Sequence, residues 1–159
     1  MENVNKDEIK LAGIKVVGRR SELSHRVPLA WLELKANLGA IENHVNPDLF
    51  YGVFPQSHLQ NDGVGGVHTY WVGVEVSTFG AVPASLTTLT IPAQTYLMTT
   101  AKGQADAIEA AYNGLYGHLR DLGRKTDPNG FGFELYDQRR QPPTPPYEQF
   151  DYDIFVPLI

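Results

Sequence analysis

An α+β fold is predicted for this 159-residue chain. A β-α-β-β unit occurs twice, its strands join one antiparallel sheet, and its two helices share one face of that sheet. Three observations predict it. Short β-branched and aromatic runs recur along the chain, as strands require. Two stretches carry apolar residues at helical spacing. The pattern then repeats. Displaced by 81 positions, Ala12 falls on Ala93, Val27 on Ile108, Ala30 on Ala111 and Trp31 on Tyr112. Leu34 falls on Leu115, Leu38 on Leu119 and Phe50 on Phe131. The last strands match better at 80, which sets Val72, Val74 and Val76 on Tyr152, Ile154 and Val156. A single domain over 1–159 is expected, with halves at about 9–80 and 86–159.

The first strand is read at Ile9–Val17. A helix follows, with Val27, Trp31, Leu34, Leu38 and Ile41 on its apolar stripe. Ser24 is its expected cap and Pro28 sits in its first turn. Leu49–Phe54 and Val67–Val76 are the next strands, the latter with Tyr70, Val72, Val74 and Val76 on one face. Leu86–Thr100 reads as one long strand bent at Ile91-Pro92-Ala93, because proline cannot donate to a ladder. The second helix carries Ile108, Tyr112, Leu115, Leu119 and Leu122, weakened by Gly114 and Gly117, with Gly123 as its stop. Phe131–Tyr136 and Tyr152–Leu158 complete the strands.

Composition narrows the function. A hydrophobic share of 42% supplies a core. A net charge of −5 argues against a general nucleic-acid binder. Without cysteine there is no disulfide, thiol nucleophile or thiolate metal site. No apolar run approaches the roughly 20 residues that span a bilayer, and Met1–Lys10 lacks a signal-peptide core. A cytoplasmic protein is expected, with no membrane and no direct nucleic-acid partner.

Several motifs are read structurally. Gly63, Gly65 and Gly66 precede a strand and not a helix, so they are read as a hairpin loop over Pro55–Gly66 and not as a phosphate cradle. Gln141-Pro142-Pro143-Thr144-Pro145-Pro146 is read as a stiff connection in preference to a ligand for a proline-recognition domain. His25, His44, His58, His68 and His118 hold no metal spacing, so no metal and no cofactor are expected. Arg19-Arg20 and Arg139-Arg140 are read as solvated pairs. No G-x-S-x-G is present.

The segment Phe131-Gly132-Phe133-Glu134-Leu135-Tyr136-Asp137 holds the main functional candidate. Alternation puts Phe131, Phe133 and Leu135 on one face and Gly132, Glu134 and Tyr136 on the other. A carboxylate beside an aromatic ring, with a glycine leaving space, suits a pocket for a cation. At an offset of 81 its counterpart is Val53, so the carboxylate is a one-sided feature of a repeated frame. With both helices on one face, the other is free to form a central ligand groove. Tyr51, Trp71, Glu134 and Tyr136 are candidates to line it, while most aromatics, Trp31 and Tyr112 included, also read as core.

These residues together resemble a known family. Tyr51-Gly52-Val53, Tyr70 to Val76, Ile91-Pro92-Ala93 with Tyr96 and Gly103, Phe133-Glu134-Leu135-Tyr136, and Ile154 to Leu158 occur in the order of the GyrI-like family, from about Ile9 to Ile159. That family supplies the effector-binding domain of AraC-type and multidrug-responsive bacterial transcription regulators. The resemblance implies a duplicated β-α-β-β fold with a central groove. It implies an amphipathic, cationic, aromatic ligand, an acidic pocket residue at Glu134, and aromatic walls at Tyr51, Trp71, Tyr96, Tyr136 and Trp31. Such regulators carry a DNA-binding domain ahead of this one, whereas fewer than ten residues precede Ile9. The expectation is therefore a stand-alone small-molecule-binding module, for drug binding, sequestration or regulation through a protein partner. Two alternatives stand beside it. One is a hydrolase of strained electrophilic toxins using Glu134. The other is an inhibitor that acts on a partner such as gyrase.

Overall fold

The computed structural model describes residues 1–60 and 66–159, and of Leu59 and Gln60 the backbone alone. Eight strands form one antiparallel sheet: β1 Glu2–Lys6, β2 Ile9–Arg19, β3 Leu49–Pro55, β4 Val67–Glu75, β5 Thr87–Ile91, β6 Gln94–Gly103, β7 Phe131–Asp137 and β8 Phe150–Pro157. The helices are α1 Arg20–Ala36, α2 Gln56–Gln60 and α3 Asp106–Asp121. The strand order is β1-β6-β8-β7-β3-β4-β2-β5, a palindrome in which each half of the chain supplies the mirror of the other. The α+β class and the duplication read from the sequence are both shown.

The sheet cannot be flat. Strands β5 and β6 stand six positions apart in the order, roughly 29 Å in a flat sheet. Yet only Pro92 and Ala93 separate them in sequence, a reach of about 11 Å. The sheet therefore curls into a half-barrel until its ends approach. Pro92 marks a crossing between those ends, so the long bent strand expected over Leu86–Thr100 is two strands. The concave face holds an aromatic core of Tyr51, Tyr96, Phe133 and Phe155 with Ile9, Leu11, Val53 and Ile91. Phe133 and Phe155 stack at 4.5 Å between centroids.

Both helices lie on the convex face. Ala30, Trp31 and Leu34 of α1 bury against Ala12, Val16, Val72 and Val74. Leu115 and Leu119 of α3 bury against Leu97, Tyr152, Ile154 and Val156. Each helix thus covers one half of the sheet, and the central pair β3–β7 lies in a trough between them.

Local details differ from expectation. Helix α1 begins at Arg20, where Glu22 accepts the Arg19 N–H at 3.0 Å and closes the first turn. Ser24 is therefore inside the helix, and Pro28 is well past the first turn. Leu38 falls in a 3-10 turn, Leu38–Ala40. Helix α3 has Asp106 and Glu109 in its first turn and His118 and Arg120 in its last, matching its dipole. Gly123 ends it at φ +65°, as expected. Strand β1 and helix α2 have no counterpart in the sequence reading. Gly63 and Gly65 lie outside the described residues. Arg139 and Arg140 are not merely solvated: Arg139 bonds Asp137, and Arg140 bonds both Asp151 and Asp153. Among the described residues, no helix is long and apolar enough to cross a membrane.

Candidate ligand-binding site

The trough between the helices is a cavity of about 660 Å³, within the range of small-molecule sites. Leu23, Val27 and Pro28 of α1 form one wall and Ile108 and Tyr112 of α3 the other. Strands supply the floor through Tyr70, Glu134, Tyr136 and Tyr152. Pro28 has no N–H to offer the Ser24 carbonyl, and both residues line the cavity.

The register explains why Glu134 is at the centre. Seven pairs join β3 to β7, and the middle one is Gly52 with Glu134. An approximate two-fold axis therefore passes between these two residues. The counterpart of Glu134 is Gly52, not Val53, and the offset for these strands is the 82 residues between them. At that offset Tyr70 falls on Tyr152, while Trp31 and Tyr112 keep the match found in the helices. The correction has a simple cause. A one-residue slip turns every strand side chain to the opposite face, and Gly52 and Glu134 share a face, so an odd offset cannot relate β3 to β7.

Tyrosine hydroxyls surround the carboxylate. Tyr70 donates to Glu134 Oε1 at 2.9 Å, Tyr112 to Oε2 at 3.2 Å, and Tyr136 makes a long contact to Oε1 at 3.5 Å. The Tyr152 hydroxyl stands beside them and also stabilises the charge. Among the described residues, no Lys or Arg forms an ion pair with Glu134. Burial raises its pKa above the ordinary 4.5, and the tyrosine hydrogen bonds oppose that rise. Burial, reinforced by the charge of Glu134, holds Tyr70, Tyr112 and Tyr136 far above the ordinary phenol value, so they remain neutral donors. His58 and His68 face each other on a further wall, ring centroids 5.9 Å apart. Burial and the neighbouring His68 lower the pKa of His58.

Gly52 makes this arrangement possible. A Cβ there would overlap the Tyr70 hydroxyl and ring. Gly52→Ala is therefore expected to cost about 1–3 kcal/mol in urea unfolding. In a Tyr70→Ala background the same substitution should cost much less than in wild type, whereas in a Tyr70→Phe background, which keeps the ring, it should cost nearly as much.

Of the residues predicted from sequence, Glu134, Tyr136 and Trp31 border the cavity. Tyr51, Trp71 and Tyr96 are on the concave face instead. Tyr51 donates to Glu75 at 3.1 Å, Trp71 lies under Lys15, and Tyr96 is fully buried. The groove expected on the face away from the helices is thus on the helix face, between them. Tyr70 and Tyr152 were not singled out: the offset of 80 set Tyr152 on Val72, whereas the offset of 82 pairs it with Tyr70. Tyr112 was matched to Trp31 but read as core.

Residues 3–158 match the model of Cass2, the integron-associated effector-binding proteins. The chain belongs to that family. It is an effector-binding domain, and the resemblance to GyrI-like domains holds over nearly its whole length. Among curated proteins it is 33% identical over 116 residues to the transcriptional regulator BrlR of Pseudomonas aeruginosa. That match covers 71% of this chain and 39% of BrlR, so the chain spans about two fifths of that relative. The EcmrR C-terminal domain superposes with a TM-score of 0.69 at 15% identity, covering 99% of this chain and 96% of that one. SAV2435, solved bound to tetraphenylphosphonium, superposes at 0.68 with 16% identity, covering 99% and 93%. At such identities these two structures share the Cass2-type fold.

Proposed function

We propose that the cavity binds small amphipathic aromatic cations, with Glu134 as their countercharge. One observation carries this reading. A carboxylate lies at the floor of an aromatic-walled cavity, its hydrogen-bond partners are neutral hydroxyls, and no Lys or Arg among the described residues forms an ion pair with it. An unpaired carboxylate in such surroundings is costly, and a bound cation relieves that cost. Aromatic faces add about 0.5–2 kcal/mol per cation–π contact. SAV2435, with the same fold, was solved with an aromatic cation bound. The likeness to BrlR supports a role in ligand-responsive regulation, as the sensing part of a larger response or through a partner. Glu134 would also be the base of a hydrolytic site. Its two oxygens are taken up by tyrosine hydroxyls, an arrangement better suited to a resting countercharge.

The test is calorimetric titration of tetraphenylphosphonium and neutral triphenylphosphine oxide from about pH 5 to 8. The cation prefers ionised Glu134, whereas burial raises the pKa of the acid in the empty site. Below that raised pKa, binding must release a proton, so cation affinity climbs roughly tenfold per pH unit. Above it, affinity levels off. The neutral analogue should show a flat profile. Matching profiles for the two compounds would reject Glu134 as the countercharge.

A further inference from the structure

The proline-rich connection between β7 and β8 is part of the cavity. Gln141, Pro143 and Tyr147 line it. The segment is tied at both ends. Gln141, nearly buried, accepts the Asp151 N–H on its side-chain oxygen at 2.6 Å. Its own N–H donates to the Asp137 carbonyl at 2.9 Å. Arg140 bonds Asp151 and Asp153 at the base of the same connection. Within the segment, the Tyr147 hydroxyl donates to the Pro143 carbonyl at 2.7 Å. Tyr147 is thus held in place although it is 38% exposed.

A line of aromatic rings runs inward from it. Tyr147 lies near-parallel to Phe150 at 6.2 Å, Phe150 meets Tyr152 edge-on at 6.4 Å, and Tyr152 tilts onto Tyr136 at 4.6 Å. Tyr136 reaches Glu134. Every ring in this line borders the cavity. The charge site is at the inner end, and the outer end is the partly exposed Tyr147.

We propose that Tyr147, backed by Phe150, is an outer aromatic station that makes the cavity select extended polycyclic cations over compact ones. It is a specificity-determining residue, not part of the charge site. This inference rests on the reading of Glu134 as a countercharge. Three ring contacts lead from Tyr147 to Tyr136, so an extended polycyclic ligand with its charge at Glu134 has more ring surface to lay against Tyr147 than a single-ring cation has.

Two probes separate the stations: ethidium, a planar polycyclic cation, and benzyltrimethylammonium, a compact one. Their affinities are measured by calorimetry on wild type, Tyr147→Ala and Tyr147→Phe, with the melting temperature as a check on folding. Tyr147→Ala is expected to weaken ethidium by about three- to tenfold, the size of one aromatic contact, and to leave benzyltrimethylammonium unchanged. Tyr147→Phe keeps the ring and should bind ethidium as wild type does. Equal losses on both probes, or no loss on either, overturn the outer station. A phenylalanine variant as weak as the alanine one also overturns it, since the hydroxyl tether and not the ring would then matter. If wild type binds neither probe, the countercharge reading fails and this inference falls with it.

Discussion

Glu134→Gln is expected to weaken a cationic aromatic ligand by tenfold to a hundredfold and, at neutral pH, to raise the melting temperature of the empty protein. The two effects share one cause. At about 5 Å and an effective dielectric near 20, a pair of unit charges is worth about 3 kcal/mol. That corresponds to roughly a hundredfold in affinity, and desolvation of the ligand lowers the realised value. Glutamine keeps the shape, its oxygen can accept from Tyr70 and its NH2 can donate to the Tyr112 hydroxyl, so the neutral analogue should bind unchanged. The stability gain follows from the direction of the pKa shift. Glu134 is raised in the folded state by burial. Its favourable contribution is therefore fully present below the unfolded value of 4.5 and is lost as pH rises through the folded value. Glutamine removes that loss. Differential scanning fluorimetry without ligand, and calorimetry with the charged and neutral pair, measure both halves. A variant that lost both ligands equally, or melted lower at neutral pH, would contradict the assignment.

Phe133→Ala is expected to cost about 3–5 kcal/mol, the usual range for deleting a fully buried aromatic. Phe133 has no exposed surface and is in ring contact with Phe155 at 4.5 Å, Tyr96 at 5.1 Å and Tyr51 at 5.5 Å. It comes from the same strand as Glu134 but points into the concave core, where four strands contribute rings around one point. Such a loss is a large share of the roughly 5–15 kcal/mol that holds a domain together. The urea midpoint should fall with little change in slope. Phe133→Leu, which fills more of the space, should cost less. Because the two faces are separate, a folded Phe133→Leu variant should keep its preference for cationic over neutral ligands. A cost below about 1 kcal/mol for the alanine variant would show that the concave cluster is not the core.

Much of this was legible because strands and helices carry their own periods. The alternation in Phe131–Asp137 separated Phe133 from Glu134 correctly, and the helical stripes of α1 and α3 placed Trp31, Leu34, Leu115 and Leu119 in the interior. The site was legible only in part. Glu134 stood out as a charge within an apolar strand. Tyr70 was hidden because it continues the apolar face of Val72 and Val74, and nothing local marks its hydroxyl as facing a carboxylate 64 positions away. Tyr51 and Trp71 drew attention as aromatics on the face opposite the helical stripes, yet that face closes on itself as the half-barrel interior.

The sequence by itself determined the two long helices and most of the strands, their duplication, and which side chains within each strand stand together. Period alone settles these, since it acts over neighbouring residues. Which face would be hollow was decided only by the tertiary structure. Curling the sheet filled the concave side with rings, and the two helices, each seated on its own half, left the trough over the central strands. The same long-range register set Glu134 opposite Gly52 and gathered tyrosines from β4, α3, β7 and β8 around one carboxylate.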